Sequence, residues 1–140
     1  MILRRATMED MERLLGWRND PETLRYSSRI EVDRETHGRW IKRMLQDSDG
    51  LYRLFIAEEE AIPIGTIRLD AATGEVHLIV APEVRGRGCA TLMLRLVVEQ
   101  AAQAGLARLW GRIQLGNLPS RRAFFKAGFE ETAVIAERIL

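Results

Sequence analysis

The chain has 140 residues, of which 46% are apolar and 29% charged, and a formal net charge of +1. That length fits one domain, residues 1–140, with little room for a second, and the charge balance gives no basic field calling for nucleic acid. A single cysteine, Cys89, excludes an internal disulfide, the opening MILRRATMEDM has no apolar signal core and no run approaches a membrane span, so the expectation is a cytoplasmic protein without a membrane partner.

In chain order, a short strand is expected at Ile2–Ala6. Thr7, with Asp10 three residues on, has the form of a capping box. Met11, Leu14 and Leu15 then form one face of a helix that stops before Asp20-Pro21. A polar, arginine-bearing stretch, PETLRYSSRIEV, leads to Asp33, an N-cap for a second helix carrying His37, Trp40, Ile41, Met44 and Leu45 on one side. Asp47, Asp49 and Gly50 end it.

Three strands are expected next, Tyr52–Ala57, Ile64–Asp70 and Glu75–Ala81, joined by EEEAIP and AATG links short enough for antiparallel hairpins. The helix after Gly88 runs to about Ala104, is apolar nearly all round and so should be buried, with Gly105 at its C-terminal cap. Arg108–Ile113 reads as a strand and Pro119 suits the first turn of a last helix. Gly128 caps that helix, and Phe129 to Leu140 is expected to return as one or two strands. The order is βααβββαβαβ, an α/β chain with a mixed sheet and helices on both faces.

The segment VAPEVRGRGCA places Arg-Gly-Arg-Gly at the mouth of the buried helix. Helix-start N–H groups are unpaired, and with the helix dipole they form an anion site. Gly86 and Gly88 permit left-handed backbone and close approach of a ligand, and Arg85 and Arg87 add charge. A diphosphate is the natural guest; a plain strand-to-helix turn with solvated arginines is the other reading. Arginine supplies every cationic side chain except Lys42 and Lys126, but genome composition alone produces such a bias. A dinucleotide fingerprint would want a small residue where Thr91 stands, and the Lys-Ser/Thr pair of a P-loop is absent.

Residues 117–129 read NLPSRRAFFKAGF. Together with RGRGCA they resemble the GNAT superfamily of acyl-CoA-dependent N-acetyltransferases. Arg85, Gly88 and Ala90 match its Arg/Gln-x-x-Gly-x-Gly/Ala motif. Asn117, Ser120, Phe124, Gly128 and Phe129 match its second motif. The two lie about 30 residues apart in the expected strand-helix-strand-helix order, and the element order of the whole chain agrees.

The resemblance implies acetyl-CoA as co-substrate and no metal. The loop Arg85, Gly86, Arg87, Gly88, Cys89, Ala90 would wrap its pyrophosphate. The strand Leu78, Ile79, Val80 would splay from its neighbour so that pantetheine can pair with free backbone groups. Asn117 and Ser120 would touch the pantetheine arm or cysteamine end, and Phe124 would face the sulfur. Arg121 and Arg122 would lie near the adenosine side or in solvent.

Acetyl transfer to an amine needs a neutral amine, a polarised carbonyl and a departing thiolate. Backbone N–H groups near Ile79 and Val80 are candidates for the oxyanion. For the base, the fourth strand offers Glu75 and His77, which alternation puts on one face with Ile79; the bland alternative is a satisfied strand histidine and a strand-end charge. Many family members carry Tyr where Phe124 stands, and Phe has no proton to give. A thiol of pKa about 8.5 still leaves a tolerable thiolate. Cys89 falls against the cofactor at the helix start rather than at a nucleophile's place.

WRNDP at 17–21 and His37-x-x-Trp40 resemble a branch that acetylates nucleotide-linked amino sugars or ribosomal-protein N-termini. On that resemblance Arg18, Tyr26, His37 and Trp40 are the candidate acceptor residues, with Arg25 and Arg29 as further partners for a diphosphate. Trp17 and Trp40 also read as core residues. Three functions stay open: a small-molecule N-acetyltransferase acting on a nucleotide-linked amino sugar or other small amine, a protein N-terminal acetyltransferase, and a non-catalytic acyl-CoA sensor. The sequence leaves a homodimer open.

Overall fold

The computed structural model describes residues 1–47 and 50–140. The elements are β1 (Ile2–Arg5), α1 (Met11–Arg18), α2 (Pro21–Arg25), α3 (Arg34–Leu45), β2 (Tyr52–Glu59), β3 (Ile62–Asp70), β4 (Val76–Val80), α4 (Cys89–Gln103) and α5 (Leu118–Lys126). The four strands form one antiparallel sheet in the order β1-β2-β3-β4.

Strand alternation divides the core in two. Phe55, Ala57, Ile67, Leu69 and Val76 face α4 and α5, where Met93, Leu94, Val97, Ala123 and Phe124 close the layer. Leu54 and Ile56 face the other way, onto Leu14, Trp17, Ile41 and Met44 of α1 and α3. Helices therefore cover both faces, as the alternating apolar pattern requires.

The local signals act as their chemistry demands. Asp10 closes a capping box with Thr7, and Asp33 caps α3 through the Thr36 N–H. The β2–β3 hairpin turns through Glu60 and Ala61, both at positive φ (50° and 64°), the geometry that matches strand twist. Asp47 accepts the Tyr52 N–H and Gly50 has φ 67°; Asp49, expected to help end α3, lies outside the described residues.

Three expectations are corrected. Residues 21–25 form a short helix, because Asp20 caps it and Pro21 fits its first position. The segment 108–113 is not a strand of the sheet; it meets β4 at one parallel bridge, Glu75 to Trp110. Residues 129–140, expected to return as one or two strands, form none. A strand exists only where a partner edge supplies hydrogen bonds, and the neighbouring segment is itself held at that single bridge.

Candidate active site

The pairing next to β4 stops where the site begins. The Val76 N–H donates to the Trp110 carbonyl at 2.9 Å, and the Trp110 N–H donates to Gly74 at 3.0 Å. No further backbone bond joins β4 to 111–115 among the described residues. In an antiparallel ladder, alternate residues turn their polar groups to opposite edges. The Ala81 N–H donates to Ile64 and the Asp70 N–H to Glu75, so Glu75, His77, Ile79 and Ala81 pair with β3. Leu78 and Val80 turn their N–H and C=O groups to the opened edge. Of the two expected oxyanion donors, the Ile79 N–H is thus taken by the sheet and the Val80 N–H has no acceptor among the described residues.

At the end of β4 the chain makes a short 3-10 turn, Pro82–Val84, and enters the glycine loop. Gly86 and Gly88 have φ 78° and 79°, and Gly88 is the N-cap of α4 in left-handed geometry. A side chain at either glycine would meet nothing within 4 Å, so backbone conformation, not crowding, demands glycine here. The N–H groups of residues 86–91 have no acceptor among the described residues, and Gly88, which precedes α4, is exposed. Such an array beside a helix start binds anions.

The two loop arginines differ. Arg85 is ion-paired with Asp20 at 2.8 Å and donates to the Thr23 hydroxyl at 3.0 Å. Arg87 is exposed, with no such partner among the described residues. Cys89 is buried. Burial pushes its thiol upward, Glu59 adds to this and Arg87 opposes it, so it is a protonated packing residue at neutral pH. Ala90, one position on, is partly buried against the α4–α5 layer.

On α5 the Asn117 side-chain oxygen caps the helix by accepting the Ser120 N–H at 3.3 Å. Phe124 is 6% exposed. Its ring meets Phe129 edge-on, with centroids 4.9 Å apart, and leans on Gly111, where a Cβ would come within 2.6 Å of it. Gly111 follows Trp110, the last residue bridged to β4, so Phe124 packs beside the opened edge. Arg121 is held by Glu131 at 2.6 Å; Arg122 is exposed.

Glu75 and His77 share the opposite face of β4, as alternation predicts. The His77 Nε2 lies 2.8 Å from the Glu75 carboxylate. Burial lowers the His77 pKa, Arg68 and Arg112 lower it further, and Glu75 works against them. The imidazole is thereby neutral near pH 7.

The acceptor candidates are not all brought together. Trp40 stacks on His37 with centroids 5.8 Å apart. His37 is buried, so it backs the indole and is withdrawn from the surface. Arg18 donates to the hydroxyls of Ser27 and Ser28 at 3.1 and 3.0 Å, pinning the loop after α2. Tyr26 lies under Arg25, 5.2 Å from its ring centroid, and Arg29 is exposed at positive φ, 60°. The sequence reading missed Arg68, which pairs with His77 in the β3–β4 register and sits over the Trp40 ring at 5.7 Å. Its position inside an apolar strand run was the available signal.

An antiparallel sheet opened at β4, with an anion-binding helix start at the opening, defines the acyl-CoA N-acyltransferase class of fold. The chain belongs to the GNAT acetyltransferase family, whose acetyltransferase domain it matches over residues 1–130. Among curated relatives, the acetyltransferase PseH of Campylobacter jejuni (serotype O:23/36) is 28% identical over 81 residues, 57% of this chain and 52% of that protein. The human alpha/beta-tubulin-N-acetyltransferase 9 is 33% identical over 85 residues, 55% of this chain and 41% of that one. The chain spans about half the length of the curated relatives it matches.

Among solved structures, spermidine N-acetyltransferase from Vibrio cholerae with CoA and spermine superposes with TM-score 0.86 at 17% identity, covering 99% of this chain and 86% of that one. The aminoglycoside acetyltransferase AAC(6')-Ib with CoA gives 0.82 at 19%, covering 95% and 86%. Ribosomal-protein-alanine N-acetyltransferase from Brucella melitensis gives 0.78 at 26%, covering 95% and 86%. Among the described residues no helix is long and apolar enough to cross a membrane.

Proposed function

We propose that the protein transfers the acetyl group of acetyl-CoA directly to a primary amine. The observation that carries this reading is the adjacency of two backbone features. The unpaired N–H array at 86–91 meets the free edge of Leu78 and Val80 across one short turn. The residues present fit the co-substrate: the array and Arg87 suit the diphosphate, the edge groups of Leu78 and Val80 suit an amide-bearing chain, and the free amide nitrogen of Asn117 supplies a further donor.

His77 is the base. Its Nε2–H donates to Glu75, which fixes the tautomer and leaves Nδ1 with the lone pair that takes the amine proton. Being neutral near pH 7, the imidazole is ready to accept it. The Val80 N–H, fixed by the sheet, is aimed at the side where carbonyl charge develops. Cys89 takes no part, since its thiol is buried and protonated.

The acceptor is read as a nucleotide-linked amino sugar or other small amine, on the likeness of the WRNDP and His37-x-x-Trp40 segments to that branch of the family. A protein N-terminal acceptor is the second reading, favoured by the 26% identity to the Brucella melitensis enzyme. The test is thiol release from acetyl-CoA by purified protein against a panel of sugar, polyamine and peptide amines. Turnover with any primary amine supports transfer. Firm acetyl-CoA binding with no turnover across the panel makes the protein a sensor.

A further inference from the structure

Arg68 is an arginine inside an apolar strand. Its neighbours in β3, Ile67 and Leu69, are fully buried. Its Nε is buried with no hydrogen-bond partner, and its guanidinium makes no ion pair or hydrogen bond among the described residues. What holds it is Trp40, whose ring centroid lies 5.7 Å below the guanidinium carbon. Trp40 is backed in turn by the buried, unprotonated His37. The arrangement is a cation on a rigid aromatic platform with its N–H groups unpaired. Leaving a buried donor unpaired is costly unless something completes it.

The position of this cation is informative. Arg68 is the register partner of His77, the base, and its neighbour Thr66 pairs with Ile79. One rung of the sheet thus carries the base and the free cation side by side. The acetyl end of the co-substrate belongs at the opened edge of β4, where its amine partner must come within reach of the His77 imidazole, and Arg68 lies across from His77 on β3, one strand further from that edge at ~4.8 Å per strand. An amine whose proton His77 takes and an anion at the Arg68 guanidinium would therefore be held by different strands, so the acceptor carries its anion at a distance from its amine.

We propose that Arg68 is the acceptor-specificity residue: resting on Trp40 beside His77, it binds a phosphate or carboxylate carried by the acceptor at a distance from its amine. The proposal rests on the acetyltransferase reading and adds to it the charge of the substrate. The fork of N–H groups suits either oxyanion bidentately. Glu75 is already engaged by His77, which leaves the Arg68 guanidinium without a carboxylate among the described residues. A polycation such as spermidine meets Arg68 and Arg112 and is disfavoured.

The test uses matched amines that differ only in the anion: glucosamine 6-phosphate against glucosamine, and 4-aminobutyrate against 4-aminobutanamide. Thiol release is measured with the full chain and with Arg68→Gln and Arg68→Lys. The expected result is a kcat/KM preference for the anionic member of about tenfold or more, expressed in KM, as a charge-assisted contact gives. That preference falls toward one in Arg68→Gln and is partly kept in Arg68→Lys. The pair with the larger preference identifies phosphate or carboxylate. Equal rates within both pairs, or a preference that survives Arg68→Gln, overturns the proposal while leaving acetyl transfer intact. If no amine turns over, transfer fails; stabilisation of the CoA-bound protein by glucosamine 6-phosphate then reads Arg68 by itself. Loss of that stabilisation in Arg68→Gln supports the proposal, and its absence in the unsubstituted chain or its persistence in the variant overturns it. Arg68→Lys keeps the charge and serves if the Gln variant does not fold.

Discussion

The Arg85 guanidinium lies 2.8 Å from the Asp20 carboxylate, so the first residue of the glycine loop is tied to the cap of α2. Asp20 also accepts the N–H groups of Glu22 and Thr23. Burial pushes its carboxyl upward, but the Arg85 contact and these N–H groups outweigh it and hold the pKa below the ordinary range. The glycine loop and α2 are therefore joined by one charged contact. The two arginines of RGRG then have different duties, one internal and one facing outward.

That division predicts different phenotypes. Arg85→Ala should lower the melting temperature of the ligand-free protein by about 3 °C, for a partly buried pair worth about 1 kcal/mol. Arg87→Ala should leave that temperature unchanged and weaken acetyl-CoA binding severalfold, as seen by titration calorimetry. If instead Arg85→Ala removes acetyl-CoA binding at unchanged stability, Arg85 serves the diphosphate directly.

The His77–Glu75 pair predicts a pH profile. His77 is half-covered and faces Arg68 and Arg112, all of which lower its pKa, against Glu75, which raises it. The activity limb should thus rise with pH through a value below the ordinary histidine pKa of about 6.5. Glu75→Gln removes the one opposing group and should move the limb to still lower pH. His77→Gln should abolish the limb and reduce turnover about 10²–10⁴-fold. A limb unmoved by either change would assign the proton to solvent.

Phe124 and Gly111 make a third case. The ring edge that touches Gly111 is the one a tyrosine hydroxyl would extend, since a Cβ at Gly111 would come within 2.7 Å of the ring's Cζ. Phe124→Tyr should press its phenol against Gly111 at the opened edge, lowering the urea midpoint, and raise the rate of thiol release by the folded protein about tenfold or more where leaving-group protonation limits it. A more acidic thiol should narrow the difference between the two proteins. Equal rates with both thiols would place another step in control. Gly111→Ala should destabilise the protein by about 1–3 kcal/mol by overpacking against the same ring, measured by urea unfolding.

Asp10 predicts acid sensitivity. It is 1% exposed, accepts both terminal nitrogens of Arg4 at 2.8 Å and meets Arg13 at 2.9 Å. The Arg4 contact, aided by the Thr7 N–H and Arg13, outweighs burial and holds its carboxyl below the usual range. A depressed carboxylate contributes stability that is present above the unfolded pKa of about 3.9 and lost as pH falls through the folded value. Asp10→Asn should cost roughly 2–3 kcal/mol at pH 7, less than a fully buried pair because Arg4 keeps a third of its side chain in water. The gap between variant and parent should close below about pH 4, followed by denaturant unfolding at each pH.

The sequence by itself determined α1, α3, α4 and α5, the central hairpins and the left-handed glycines of the 85–90 loop, because those are local matters. Thr7 and Asp10, Asp33, Gly88 and Asn117 are caps whose chemistry acts within three or four residues. Alternation along Glu75–Ala81 was enough to put Glu75 and His77 on one face. The strand at 108–113 and those beyond 129 were misread for the converse reason: an apolar segment after a turn could pair, and pairing depends on a distant edge. Only the tertiary structure decided that the ladder stops after Trp110, which frees Leu78 and Val80, and that Arg85 turns inward to Asp20. It alone brought Arg68, Trp40 and His77 together from β3, α3 and β4. Their sequence separation carries no signal of contact, and a cation in an apolar strand acquires meaning only when the aromatic platform beneath it is seen.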